Sequence, residues 1–239
     1  MTEQEKQNIL NNAKEFFSNT IVKNHKKNTK KLKLKDFNVN PFLVKYLSNF
    51  LSGSSNPIDI AKALVYPRVL GTSITTSFGT NLQKFCTTTL EGYSSTTSGI
   101  DIEFIDAIDG RRKYCQVKAG PNTINHDDIT TIKNHFDGVR RLARTNGLNL
   151  GMDDLIVGVF YGTKKQLSAH YKEIDKTYPV FVGEDFWYRL TGDKNFYFDL
   201  IDAIAKSALE EDCSELLSDT IQSLSIEIEN DASLFNKND

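Results

Sequence analysis

The chain has 239 residues, 39% hydrophobic and 25% charged, with a formal net charge of −2. That length buries one full core but is short for two typical domains with linkers, so one domain with appendages is expected. No stretch approaches the roughly 18 apolar residues of a membrane span, the start MTEQEKQNIL lacks the basic-then-apolar pattern of a secretion signal, and Cys86, Cys115 and Cys213 stand in no paired-ligand spacing, which together fit a reduced cytosol and speak against a zinc site.

The first twenty residues space Ile9, Leu10, Ala13, Phe16, Phe17 and Ile21 as one helix stripe. The helix leads into KNHKKNTKKLKLK, Lys23 to Lys35, which holds seven lysines and no acid. Lys26, Lys27, Lys30 and Lys31 are candidates to grip a phosphate backbone, since neutralising phosphates is the sequence-independent part of nucleic-acid affinity. A solvated helix face or tether is the competing reading. VNPFLVKYLSNFLSG reads as a proline-bounded helix ending near Gly53, and NPIDIAKALVYPRVLG as another stopped by Pro67. SFGTNLQKFCTTTLEG follows, with Phe78, Leu82, Phe85 and Leu90 as its buried side and Gly92 as its stop.

The period then changes to two. Apolar and polar residues alternate from Ile100 to Ile105 and from Tyr114 to Lys118, as in half-exposed strands, with Asp109-Gly110 between them suited to a two-residue hairpin turn. In that register Asp101 faces Lys118 and Glu103 faces Gln116, all on one solvated face, while Ile100, Ile102, Phe104, Cys115 and Val117 face the core. DDITTIKNHFDGVRRLARTNG predicts a helix burying Ile129, Ile132, Phe136, Val139 and Leu142. DLIVGVFYG reads as a central strand covered on both faces, and YPVFVGEDFWYRLTG as a short strand followed by a helix. The last thirty residues give one more helix and a polar, frayed tail, and from Glu210 to Asp239 nine acids stand against the single Lys237. The whole predicts an α/β (α+β) sheet domain, divided as a helical N-terminal region with a basic arm (1–70), expected to contact DNA or to dimerise, a catalytic core (71–210) and an acidic helix and tail (211–239).

Two carboxylates, an amide oxygen and an ammonium on one patch suit metal-assisted phosphodiester hydrolysis. Oxygen ligands favour a hard cation such as Mg2+, which keeps several waters and bridges to substrate phosphate. Lys118 could orient or help deprotonate the attacking water and stabilise charge on phosphorus, and the Val117 carbonyl could add a ligand. Equally, acid–lysine pairs across a solvated hairpin are common as plain structure.

Asp101 followed after fourteen residues by Gln116-Val117-Lys118 resembles the PD-(D/E)XK nuclease core. NPFL, SFGTNLQKF, QVKAGPNTIN, LIVGVFYG and GEDFWYRLTG extend the likeness, and from Asn40 to Gly192 the chain is similar to type II restriction endonucleases that read GGNCC-like sites. The resemblance implies a restriction-endonuclease-like mixed sheet flanked by helices. Asp101 would be the principal metal ligand, Gln116 the second and Lys118 the catalytic lysine. Gln116 departs from the usual Asp or Glu at its position, and Glu103 could supply the missing charge. Gln83 could at most act behind the ligands.

Asn122, Thr123 and Asn125, in the turn after Gly120 and Pro121, can reach phosphates or base edges, and Arg140, Arg141 and Arg144 could read guanines or contact phosphates. A strand-to-helix turn and a helix C-terminus account for the same residues without DNA. His126 and His135 have no paired spacing. Trp187 and Phe186 are read as core. The expectation is a magnesium-dependent type II restriction endonuclease acting as a homodimer on a short palindromic duplex and leaving 5'-phosphates, with a DNA methyltransferase as functional companion in a restriction-modification system. The alternatives are a repair or junction nuclease of the same fold and a non-catalytic DNA-binding protein with a degenerate core.

Overall fold

The computed structural model describes residues 1–209 and 213–231. A Thr2–Glu5 capping box starts helix α1 (Glu3–Phe16), which widens into a π turn (Phe17–Val22) and continues as α2 (Lys23–Lys30), so the basic run is helical through most of its length. Helix α3 (Pro41–Ser52) starts on the Asn40 side chain, with proline at its first position, and ends at Gly53. Helix α4 (Pro57–Pro67) does not stop at its proline, as the sequence predicts. Pro67 lacks an N–H to donate back along the helix, and the chain passes through a second π turn (Arg68–Ser73) into α5 (Ile74–Thr89).

Next come strands β1 (Ile102–Ile105) and β2 (Arg112–Lys118), helix α6 (His126–Thr145), strand β3 (Leu155–Val159), helix α7 (Ala169–Asp175) and strand β4 (Val180–Val182). Helices α8 (Glu184–Thr191), α9 (Phe196–Leu209) and α10 (Ser214–Asn230) follow, and the tail beyond 231 lies outside the described residues. The sheet runs in the order β1-β2-β3-β4, antiparallel at β1/β2 and parallel at the two later pairs. Parallel neighbours need a crossover, which α6 and α7 provide. This mixed sheet flanked by helices is the restriction-endonuclease-like architecture that the sequence predicts.

Two units make up the chain: Met1–Phe17 with Gly79–Ser207, and Ser18–Phe78 with the described residues from Ala208 onward. The expected limits at 70 and 210 are therefore redrawn, with α1 grouped with the sheet and α10 with the N-terminal helices. In the first unit β3 is buried at every position, as its unbroken apolar run predicts. One face of the sheet packs Leu155, Val157 and Val159 against Ile129, Ile132 and Phe136 of α6 and Tyr171 and Ile174 of α7. On the other face Phe186 lies where a Cβ on Gly158 would fall 2.3 Å from its ring, so only glycine admits α8 there. Trp187 donates to the Phe160 carbonyl at 2.9 Å and is wholly buried, in agreement with its core reading. Lys6 of α1 pairs with Asp193 and Asp199 at 2.6 and 2.5 Å. In the second unit α3, α4 and α10 enclose Val44, Ile60, Val65, Ile221, Leu224 and Ile228.

Candidate active site

The β1–β2 hairpin carries the residues singled out for chemistry, and its register differs from the expected one. Asp106 N–H donates to Arg111 O and Gly110 N–H to Asp106 O, each at 2.9 Å, so the loop spans Ala107–Gly110 rather than two residues. Gly110 alone takes the left-handed backbone, at φ 68°. The strands consequently pair Ile102 with Cys115 and Glu103 with Tyr114. The correction is a shift of two residues, which leaves every side chain on its expected face because strand side chains alternate with period two.

That face is not solvated. Gln116 is 4% exposed and lies beside Val157 of β3, under α6. Its Nε2 donates to the Gly99 carbonyl and to His135 Nδ1, both at 2.7 Å. The Gly99 carbonyl can only accept, so the amide orientation is fixed and Nε2 cannot be exchanged with Oε1. No donor among the described residues reaches Oε1. Gly99 itself is irreplaceable here, for it combines φ 79° with a His135 ring 2.6 Å from where a Cβ would sit.

Asp101 stands just before β1. Its N–H donates to Cys115 O at 3.0 Å, and its Oδ2 accepts from Val117 N–H at 2.7 Å, taking the place of a β1 residue at the end of the ladder. The odd-numbered backbone groups of β2 face β1, so the Val117 carbonyl turns toward the same side. Burial pushes the Asp101 carboxyl above the ordinary aspartate range, opposed by the Val117 N–H and by the charges of Lys118 and His135. Lys118 is half-buried, and no hydrogen bond or ion pair within the described residues occupies its ammonium. Asp101, Val117, Lys118 and Thr123 line one cavity of about 380 Å³, together with Gln83 and Thr80 of α5.

Glu103 is held elsewhere. Its Oε1 accepts from Ser95 and Thr97 hydroxyls at 2.6 and 2.9 Å, and Arg112 reaches its Oε2 at 3.2 Å. It does not line the cavity, so the geometry offers Asp101 as the single carboxylate there. Gln83 lines the cavity from an exposed position. His135, by contrast, emerges as a neighbour of both Gln116 and Asp101, a role that no local spacing in the sequence signals.

The expected DNA contacts separate in the same way. Asn125 caps α6, its Oδ1 accepting from Asp127 and Asp128 N–H, and Thr123 Oγ1 donates to Gly120 O at 2.8 Å. Asn122 is exposed. Arg140 pairs with Asp137 at 3.6 Å, and Arg141 and Arg144 are exposed. As the crossover helix, α6 runs from the Lys118 end of β2 back to the start of β3, which puts Arg140 about 20 Å along its axis from the Asn125 cap. The three arginines are thus at the opposite sheet edge from the cavity. In the second unit Lys27, Lys30 and Lys31 are exposed on α2 or directly after it, whereas Lys26 is half-buried beside His25, Thr29 and Val69.

Among the described residues no cluster of three or more His, Cys, Asp or Glu side chains could hold a metal ion. The donors present are one carboxylate, one uncommitted amide oxygen and a backbone carbonyl. That set fits a cation that takes one or two protein oxygens and completes its shell with water and phosphate, as magnesium does, and does not fit zinc. No helix among the described residues is long and apolar enough to cross a membrane. The family model described as type II restriction endonuclease EcoO109I matches residues 3–212. No curated protein matches the chain.

Proposed function

Because the chain belongs to the type II restriction endonuclease EcoO109I family, we propose that it is a magnesium-dependent, site-specific deoxyribonuclease that hydrolyses both strands of a short palindromic duplex with Asp101, Gln116 and Lys118. The observation that carries this reading is the convergence of Asp101 and Lys118 on one cavity at the end of β2, with Val117 N–H fixing the carboxylate. Asp101 Oδ1, Gln116 Oε1 and the Val117 carbonyl would hold Mg2+, which when bound supplies Lewis acidity that neutralises charge growing on the phosphoryl oxygens. Lys118, unpaired by any carboxylate within hydrogen-bond reach, orients the attacking water and stabilises the same charge from the protein side. Gly99 and His135 position the Gln116 amide. The products would carry 5'-phosphates, and a GGNCC-like site is the recognition sequence that the resemblance favours.

DNA contacts are assigned to Lys27, Lys30 and Lys31 for the backbone and to Asn122 near the cavity. Digestion of plasmid DNA tests the proposal: discrete fragments in magnesium and intact DNA in chelator are expected. Structure-dependent nicking would indicate a repair or junction nuclease instead, and a gel shift with no cutting in magnesium would indicate a binding protein.

A further inference from the structure

Helix α3 presents Phe42, Leu43, Tyr46, Leu47, Phe50 and Leu51 to solvent, with Phe42 88% and Phe50 80% exposed. Only Val44 and Ser48 are buried on this helix, toward α4 and the rest of the second unit. The six residues recur at spacings of one and three, which gathers them into a continuous stripe covering about half the helix circumference, with Lys45 and Asn49 outside it. A contiguous apolar stripe of this size is far outside what a monomer surface carries without a partner.

We infer that this stripe is the two-fold contact between two copies of the chain, α3 packing antiparallel on α3 of the second copy. The pattern itself points to a copy rather than a foreign partner. Phe-Leu, Tyr-Leu and Phe-Leu repeat every four residues, so reversing the helix about its centre places aromatic-leucine against aromatic-leucine at all three levels: Phe42 and Leu43 meet Phe50 and Leu51, and Tyr46 and Leu47 meet themselves. This is the self-complementarity that an isologous interface requires. The stripe holds no charge, so bringing two identical surfaces together buries none. Its six side chains offer on the order of 700 Å² per copy, close to the roughly 800 Å² per partner of a standard-size interface. The inference deepens the reading above, because one chain holds one Asp101–Lys118 site and a duplex has two strands to cut.

The test is sedimentation of the full-length protein at tens of micromolar without DNA or metal, for the parent and for Tyr46→Asp combined with Phe50→Asp. A dimeric parent and a variant whose dimer is at least ~100-fold weaker, with unchanged far-ultraviolet circular dichroism, is expected, since each dimer would bury four unpaired carboxylates. A monomeric parent, or a variant that remains a dimer, overturns the inference. Should the variant fail to fold, oxidative crosslinking decides. Leu47→Cys should form a covalent dimer faster than Lys30→Cys and faster than the parent with its own three cysteines, and an equal or slower rate overturns the inference. DNA cleavage enters none of these readouts, so a parent that dimerises through α3 and cuts no DNA would refute the nuclease reading alone.

Discussion

Gln116 is an amide at a position where a carboxylate would be expected beside Asp101, and its neighbours are built around the amide. Its Nε2 satisfies the Gly99 carbonyl and His135 Nδ1. Gln116→Glu would set a carboxylate oxygen against that carbonyl, 2.7 Å from where the amide nitrogen now lies. The variant should therefore lose about 1–3 kcal/mol of stability in chelator, the cost of an unsatisfied or repelled buried group, and recover more of it in magnesium than the parent gains. Thermal melts with and without magnesium measure both effects, and identical melting of parent and variant would remove Gln116 from the ligand set. Asp101 gives a pH dependence of known sign. Its folded carboxyl is raised by burial, so the fold holds that proton more tightly than the unfolded chain does, and stability gains as pH falls through the raised value toward the ordinary aspartate value near 3.9. Asp101→Asn should abolish that gain while raising the neutral-pH melting temperature in chelator, a shift readable by calorimetry. Which polar groups share a face was legible from period-two alternation alone. The company they keep was not, because Gly99 and His135 reach Gln116 through folding contacts that no local pattern encodes.

Among the elements, the hairpin loop is tied down by charge. Lys113 is 1% exposed and meets Asp109 at 2.5 Å, the Asp153 carbonyl at 3.1 Å and Asp154 at 3.5 Å, while Arg111 forks onto Asp154. Arg189 of α8 joins the buried Asp106 at 2.8 Å. Asp154→Ala should cost about 3–5 kcal/mol, because it removes one partner from a buried pair and leaves the Lys113 ammonium undercompensated. Denaturant unfolding checks this, and a loss below about 1 kcal/mol would show that the other partners suffice. The same network explains why Asp109-Gly110 does not make the two-residue turn its dipeptide suggests: the side chains of Asp106 and Asp109 are committed to Arg189 and Lys113, and the loop widens to reach them. Helix α2 belongs to this scale as well. Replacing Lys27, Lys30 and Lys31 with glutamine should weaken binding to all DNA sequences alike and lower the log-log salt slope by about 0.9 for each phosphate no longer neutralised. An unchanged slope in a binding titration would return the lysines to a solvated face.

For the molecule as a whole, the sheet was legible because its strands follow one another in chain order, β1 to β4, with a long amphipathic helix marking the first parallel crossover. The grouping of α10 with α3 and α4 was not, since an amphipathic pattern shows that a face is buried without saying against what. The short α7 between β3 and β4 also escaped, its seven residues giving too few turns for a periodic signal. Family membership accounts for residues 3–212 and the activity class, whereas the assignment of chemistry to the end of β2 rests on Asp101, Gln116 and Lys118 meeting there. Lys118→Ala tests that assignment most directly. Cleavage of a plasmid that the parent cuts into discrete fragments in magnesium should fall by at least ~100-fold, the scale of losing a transition-state charge partner, with duplex binding retained. A Lys118→Ala protein that cuts at near the parent rate would place the active site elsewhere in the fold.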